Sequence, residues 1–194
     1  MDNEFLLYDR LEKIRAVINQ YGVENFAISY SGGKDSCVVD KLVDMAIPDN
    51  EIPRVYVDTG IEYNMIRQFV TDKAKTDVRV TIISPSKSIK KTLEEYGYPF
   101  KSKEHSAYID IIRRNGLTCK TAGRYLNPEP KRKKYGCLPI FYYQLTDDFH
   151  LKISDKCCDK LKKEPLKEAL KHLGKKYWIN GILPSEGGQR SQAK

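Results

Sequence analysis

Apolar positions along this chain alternate between a helical and a strand period. Phe5, Leu6, Leu11, Ile14, Val17 and Ile18 recur at roughly helical spacing and predict an opening helix over Asn3–Tyr21, ended by Gly22. The run Phe26–Tyr30 (FAISY) is short, apolar and aromatic, as a buried strand would be. After a Ser-Gly-Gly turn, Lys34–Ala46 returns to helical spacing and stops before Pro48. Arg54–Asp58 and Val78–Ile83 predict a second and third strand, with a helix over Glu62–Lys75 between them. Ser86–Tyr96 follows as a helix opened by a serine cap.

Strands alternating with helices at this spacing form βαβ units. The predicted fold is α/β: a doubly wound, mostly parallel sheet with helices on both faces. Lys101–Tyr135 breaks the pattern. It is basic, holds Asn127-Pro128-Glu129-Pro130, and reads as an insertion with one helix near His105–Asn115. Pro139 opens another helix, Pro165–Leu173 forms the next, and Tyr177–Gly181 is a late strand. Without repeats, low-complexity tracts or a second pattern, residues 1–194 are expected to form a single domain.

Composition narrows the class. No apolar run approaches the roughly 18 residues of a membrane span. The opening MDNEFLLYDRLEK carries acids within its apolar stretch and lacks a small-residue cleavage site, so a cytoplasmic protein is expected. Thirty-four Lys and Arg against 26 Asp and Glu give a net charge of +8, unevenly placed. Lys101–Lys134 holds ten basic and three acidic residues, and Lys152–Lys176 nine and four, so the remainder is mildly acidic. Such a local excess suits an anionic partner, although a lysine run is equally often a solvated face. Five cysteines, an odd number, argue against a disulfide framework; adjacent Cys157 and Cys158 fit thiols, metal or cluster ligands, or redox roles. His105, His150 and His172 are far apart in sequence and suit surface or packing roles.

The sharpest chemical signal is Ser31-Gly32-Gly33-Lys34-Asp35-Ser36, between a predicted strand and a predicted helix. A small-residue turn there presents free backbone amides at a helix N-terminus, where the dipole also favours an anion. Gly32 and Gly33 allow close approach of a phosphate, Ser31 and Ser36 offer hydroxyls, Lys34 a point charge and Asp35 a Mg²⁺ or substrate-orienting ligand. The glycine spacing differs from the Walker pattern.

In this setting SGGKDS resembles the pyrophosphate loop of the adenine-nucleotide α-hydrolase-like superfamily, which holds ATP pyrophosphatases and phosphoadenosine-phosphosulfate (PAPS) reductases. Three further segments resemble the PAPS reductase family. Val57-Asp58-Thr59-Gly60-Ile61-Glu62-Tyr63 matches a motif after the second strand, placing Asp58, Thr59 and Gly60 at a nucleotide pocket. Cys157-Cys158, followed by Lys162, Lys163, Pro165 and Leu166, is similar to the reductase branch's paired-cysteine segment. Asn180–Arg190 resembles a late rim motif in which Glu186 and Arg190 match, while Leu183 and Gly187 stand where the family has Arg and Ser.

What the resemblance implies is binding of PAPS, adenosine phosphosulfate or ATP through Ser31–Ser36, with Lys162, Lys163 and Arg190 contacting anions and Lys34, Asp35, Cys157 and Cys158 as catalytic candidates. It also implies Mg²⁺ at Asp35 and, in the branch acting on adenosine phosphosulfate, a [4Fe–4S] cluster on paired cysteines. That cluster also needs a later C-x-x-C, which this chain lacks, as it lacks the reductases' C-terminal nucleophile segment. The last motif ends four residues before Lys194, so a further C-terminal portion is expected. Expected partners are an adenine nucleotide, a thioredoxin-like electron donor and a second copy of the chain. The alternatives are an adenylating ATP pyrophosphatase and a non-catalytic nucleic-acid-binding module contacting its partner through Tyr108, Tyr125 and Tyr135.

Overall fold

The computed structural model describes residues 3–131 and 136–182. The chain divides into two compact units, one formed by residues 1–85 with 164–194, the other by residues 86–163.

The first unit holds four parallel strands in the order β3-β2-β1-β4: β1 (Phe26–Ser29), β2 (Arg54–Val57), β3 (Val80–Ile83) and β4 (Tyr177–Ile179). Helices α1 (Asn3–Tyr21), α2 (Lys34–Ala46) and α3 (Asn64–Thr76) cover one face. There Ile18 and Val43 meet Phe26 and Ile28, and Val70 meets Tyr30 and Tyr56. The helix α8 (Glu164–His172) lies against Ile83 from the other face. Helices on both faces of an all-parallel sheet make the predicted α/β doubly wound fold.

Strand and helix ends differ from expectation where local polar bonds intervene. The third strand starts at Val80 rather than Val78, because Asp77 accepts from the Arg79 amide and turns the chain, leaving Val78 solvent-exposed. The cap of α4 (Ile89–Tyr96) is Ser88, not Ser86; its hydroxyl accepts from the Lys91 amide.

A polar cluster the strand pattern did not predict sits beside the β2 and β3 starts. Arg54, fully buried, donates to Asp40 at 2.7 Å and to Asp44 at 2.6 Å on α2, and also to the carbonyl of Ile52. Arg79 reaches Asp44 at 2.9 Å and Asp77 at 2.8 Å, and Lys73 reaches Asp40 at 2.9 Å. These bonds anchor α2 by its C-terminal half.

The second unit is helical, with α4, α5 (Lys103–Asn115), α6 (Lys120–Leu126), a 3-10 segment Pro139–Leu145 and the single turn α7 (Lys156–Cys158). The basic stretch expected as an insertion falls largely here and contains α6, which the apolar pattern did not suggest. Its core gathers Ile109, Ile112, Ala122, Tyr125, Cys137 and Ile153. Buried His105 accepts from the Tyr125 hydroxyl at Nδ1 (2.6 Å) and donates from Nε2 to Gln144 (2.8 Å). Both ring nitrogens are thus satisfied by a neutral imidazole. Tyr125 is therefore core, 4% exposed, rather than the partner-contacting aromatic the binding-module reading required. Tyr135 lies outside the described residues.

Candidate functional site

The four parallel strands aim their carboxyl ends at one rim of the first unit. Succession runs outward from β1 through β2 to β3 and then resumes on the other side of β1 with β4. The carboxyl end of β1 is thus the switch point where ligands of open α/β sheets bind, and the loop Ser31–Gly33 occupies it.

The loop is shaped by its own residues. Gly32 has φ 71°, and a Cβ there would lie 2.6 Å from Val70 Cγ2 and 3.0 Å from Ile66 Cγ2, so a side chain meets both a left-handed backbone and the α3 surface. The Ser36 hydroxyl, buried, donates to the Gly33 carbonyl at 2.9 Å and accepts from the Ser31 amide at 3.2 Å and hydroxyl at 3.1 Å. Gly33 caps α2 without a side chain to offer it. Its amide leans on the Ser31 hydroxyl at 3.3 Å. The amides of Gly32, Lys34 and Asp35 meet no acceptor among the described residues. Lys34 and Asp35 are exposed at this helix start. Glycines, amides without an acceptor among the described residues and the positive end of a helix dipole are the elements from which an anion cradle can be built.

The second motif stands beside it. Asp58, at the end of β2, accepts from the Gly60 amide at 3.0 Å and pairs with Arg67 at 2.7 Å. The Glu62 carboxylate turns back to accept from the Thr59 amide (3.0 Å) and hydroxyl (2.8 Å), so Thr59 is buried and held. Glu62 was expected inside the helix; α3 starts at Asn64 instead. The Thr-x-x-Glu spacing of a capping box was the sequence signal for this turn. Beneath the turn, the Tyr56 hydroxyl is buried and has no hydrogen-bond partner among the described residues.

The end of β4 closes the third side. A Cβ on Gly181 would come 3.1 Å from the Asp35 carbonyl, so this glycine sits directly on the first turn of α2. The residues that follow, including Leu183, Glu186, Gly187 and Arg190, lie outside the described residues.

Ser31–Ser36 and Asp58–Gly60 are thus brought together in the first unit. Cys157, Cys158, Lys162 and Lys163 belong to the second. Burial pushes the Cys157 thiol up, which favours the neutral thiol over the thiolate that nucleophilic attack or cluster binding needs. Lys163 is paired with Asp159 at 2.7 Å, which raises its pKa. Sequence reading missed the Tyr30 hydroxyl, 3.2 Å from Cys37 Sγ beneath the loop, because both residues read simply as core.

The family model for the phosphoadenosine phosphosulfate reductase domain matches residues 25–127, from just ahead of β1 to the end of α6. The chain belongs to this family. Over 103 residues it is 34% identical to an uncharacterized protein of Methanocaldococcus jannaschii, a match covering 48% of this chain and 25% of that protein. The PAPS reductase-domain match includes both rim motifs, SGGKDS and VDTG, and ends before the cysteine pair. No helix among the described residues is long and apolar enough to cross a membrane.

Proposed function

We propose that this PAPS reductase-family chain binds an adenine nucleotide by its phosphate chain at Ser31–Ser36. The observation that carries this is that the amides of Gly32, Lys34 and Asp35, at the switch point of the sheet, meet no acceptor among the described residues. Phosphate oxygens supply the missing acceptors, and Lys34 adds a point charge at the rim. PAPS, adenosine phosphosulfate and ATP share this feature. Asp58, Thr59 and Gly60 border the same cradle, with Thr59 fixed by Glu62.

Asp35 suits Mg²⁺, being an exposed carboxylate in the first turn of α2 with no partner among the described residues. When bound, Mg²⁺ supplies charge neutralisation on a departing phosphate group. The residues of the chain do the rest: the loop amides hold the β-phosphate side, and the fixed turn at Thr59 orients what lies across the rim.

Two reactions fit such a cradle. In adenylyl transfer, an acceptor oxygen attacks the α-phosphorus, the bond to the bridging oxygen breaks and pyrophosphate leaves. In sulfonucleotide reduction, a thiolate takes the sulfur group and a nucleotide leaves. Isothermal titration with ATP, PAPS and adenosine phosphosulfate in Mg²⁺ tests the binding: heat with at least one is expected, and silence with all three in folded protein rejects it. Release of pyrophosphate, or of sulfite when a dithiol is added to take the sulfur-bearing thiol into a disulfide, then assigns the reaction.

A further inference from the structure

In the second unit, α5 and the segment around Ile153 enclose a cavity of about 360 Å³ lined by Asp110, Arg113, Arg114, His150, Lys152 and Lys156, with buried Ile153 at its floor. Four permanent cations face one carboxylate. Two of them, Arg113 and Lys152, are held by carbonyls that do not neutralise them. Arg113 donates to the carbonyls of Leu151 (2.7 Å) and Phe149 (2.6 Å) and lies over the Phe149 ring. Lys152 donates to the carbonyl of Glu95 at 2.5 Å. Arg114 and Lys156 share the single Asp110 carboxylate, at 3.0 and 3.6 Å.

Part of this arrangement serves the fold, since cations in the last turn of α5 complement its dipole. That accounts for Arg113 and Arg114; Lys152 and Lys156 come from a different segment and line the same concavity. Like charges gathered around a pocket repel unless an anion enters, and cations pinned to carbonyls lose little freedom when one does.

We propose that this pocket is a second anion site, separate from the Ser31–Ser36 loop, and that it receives a phosphate group. Guanidinium groups offer paired donors to phosphate oxygens and ammonium groups add point charges. A polynucleotide backbone and a free phosphate present the same group, and the experiment separates them.

Fluorescence anisotropy with a labelled single-stranded oligonucleotide and calorimetry with inorganic pyrophosphate are run on the full chain at low salt. The double variant R114Q/K156Q should weaken the oligonucleotide about tenfold and lower its salt slope by about 1 to 2. K13Q, on the exposed face of α1, should change it less than about twofold. Loss confined to the oligonucleotide arm assigns a polynucleotide backbone; parallel loss of pyrophosphate binding at this pocket assigns a free phosphate. On the unmutated protein, amine acetylation read by mass spectrometry should show Lys152 and Lys156 protected by the ligand and Lys13 unprotected. No binding of either probe, equal weakening by K13Q, or acetylation of Lys152 and Lys156 unchanged by saturating ligand overturns the proposal. K34Q abolishing pyrophosphate heat while R114Q/K156Q leaves both probes untouched would leave the loop site standing alone.

Discussion

Arg54 Nε donates to Asp40 Oδ1 at 2.7 Å, and both side chains are shut off from water. Removing one partner of such a pair strands a buried charge. Arg54→Met leaves Asp40 to Lys73 alone and Asp44 to Arg79 and Asn50. A loss of about 3 to 5 kcal/mol in urea denaturation is expected. A loss under about 1 kcal/mol would mean that water reaches the cluster.

Gly32→Ala should be costly in two ways. The added methyl meets Val70 and Ile66 while the backbone stays left-handed, so the loop must move and its amides turn from the rim. A stability loss of about 1 to 3 kcal/mol is expected with loss of nucleotide heat. Gly33→Ala is the control: its Cβ would meet only Ser31 Oγ, at 3.4 Å, so stability should stay within about 1 kcal/mol of the parent.

Acid should weaken the first unit through Asp77. Hydrogen bonds from Arg79 are the main cause that lowers its pKa from 3.8 to about 2. A depressed carboxylate stabilises the fold above its unfolded pKa and loses that contribution as protons bind. Stability should therefore fall between about pH 4 and 2, by on the order of 1 to 2 kcal/mol from this group. Asp77→Asn should flatten that part of the pH–stability curve; an unchanged curve would assign the acid loss elsewhere.

His105 gives the second unit its own pH dependence. Burial lowers its pKa below the ordinary 6.5, against the opposing hydrogen bond to Gln144. The unfolded chain then takes up a proton that the folded imidazole refuses, so stability is full above pH 6.5 and declines below it. Hydrogen exchange of α5 and α6 amides should speed up in that range, and less so in His105→Gln. Equal acceleration in both proteins would exclude the imidazole as the cause.

Glu62→Ala removes the acceptor of the Thr59 amide and hydroxyl. A cost of about 1 kcal/mol is expected, as for a lost cap, together with weaker nucleotide binding. Thr59→Ser keeps the hydroxyl and should bind like the parent.

Much of this was legible in the sequence where one physical signal dominates. Phe26–Tyr30 and Arg54–Asp58 announced buried strands, and the glycines after the first strand marked its turn. What escaped was polar and long-range. Arg54 reads as a charged residue opening an apolar run, and only folding brings Asp40, Asp44, Lys73 and Arg79 around it. The start of α3 was misplaced because helical period extends through Glu62, whereas a bond three residues back captures that side chain. The short helix α6 has Cys119 as its cap, a residue type that gives no usual start signal. The pocket on α5 was visible only as a diffuse excess of charge; its convergence depends on bringing residue 113 near 152.

The order of the strands bears on how the chain is made. The middle strand β1 finds one neighbour, β2, within about thirty residues, but its other, β4, is encoded only after the whole of residues 86–163. On the ribosome one edge of β1 therefore waits uncovered while the helical unit emerges. A pause or truncation in that interval exposes an aggregation-prone strand edge, so yield should respond more to codon choice there than to changes in the finished fold.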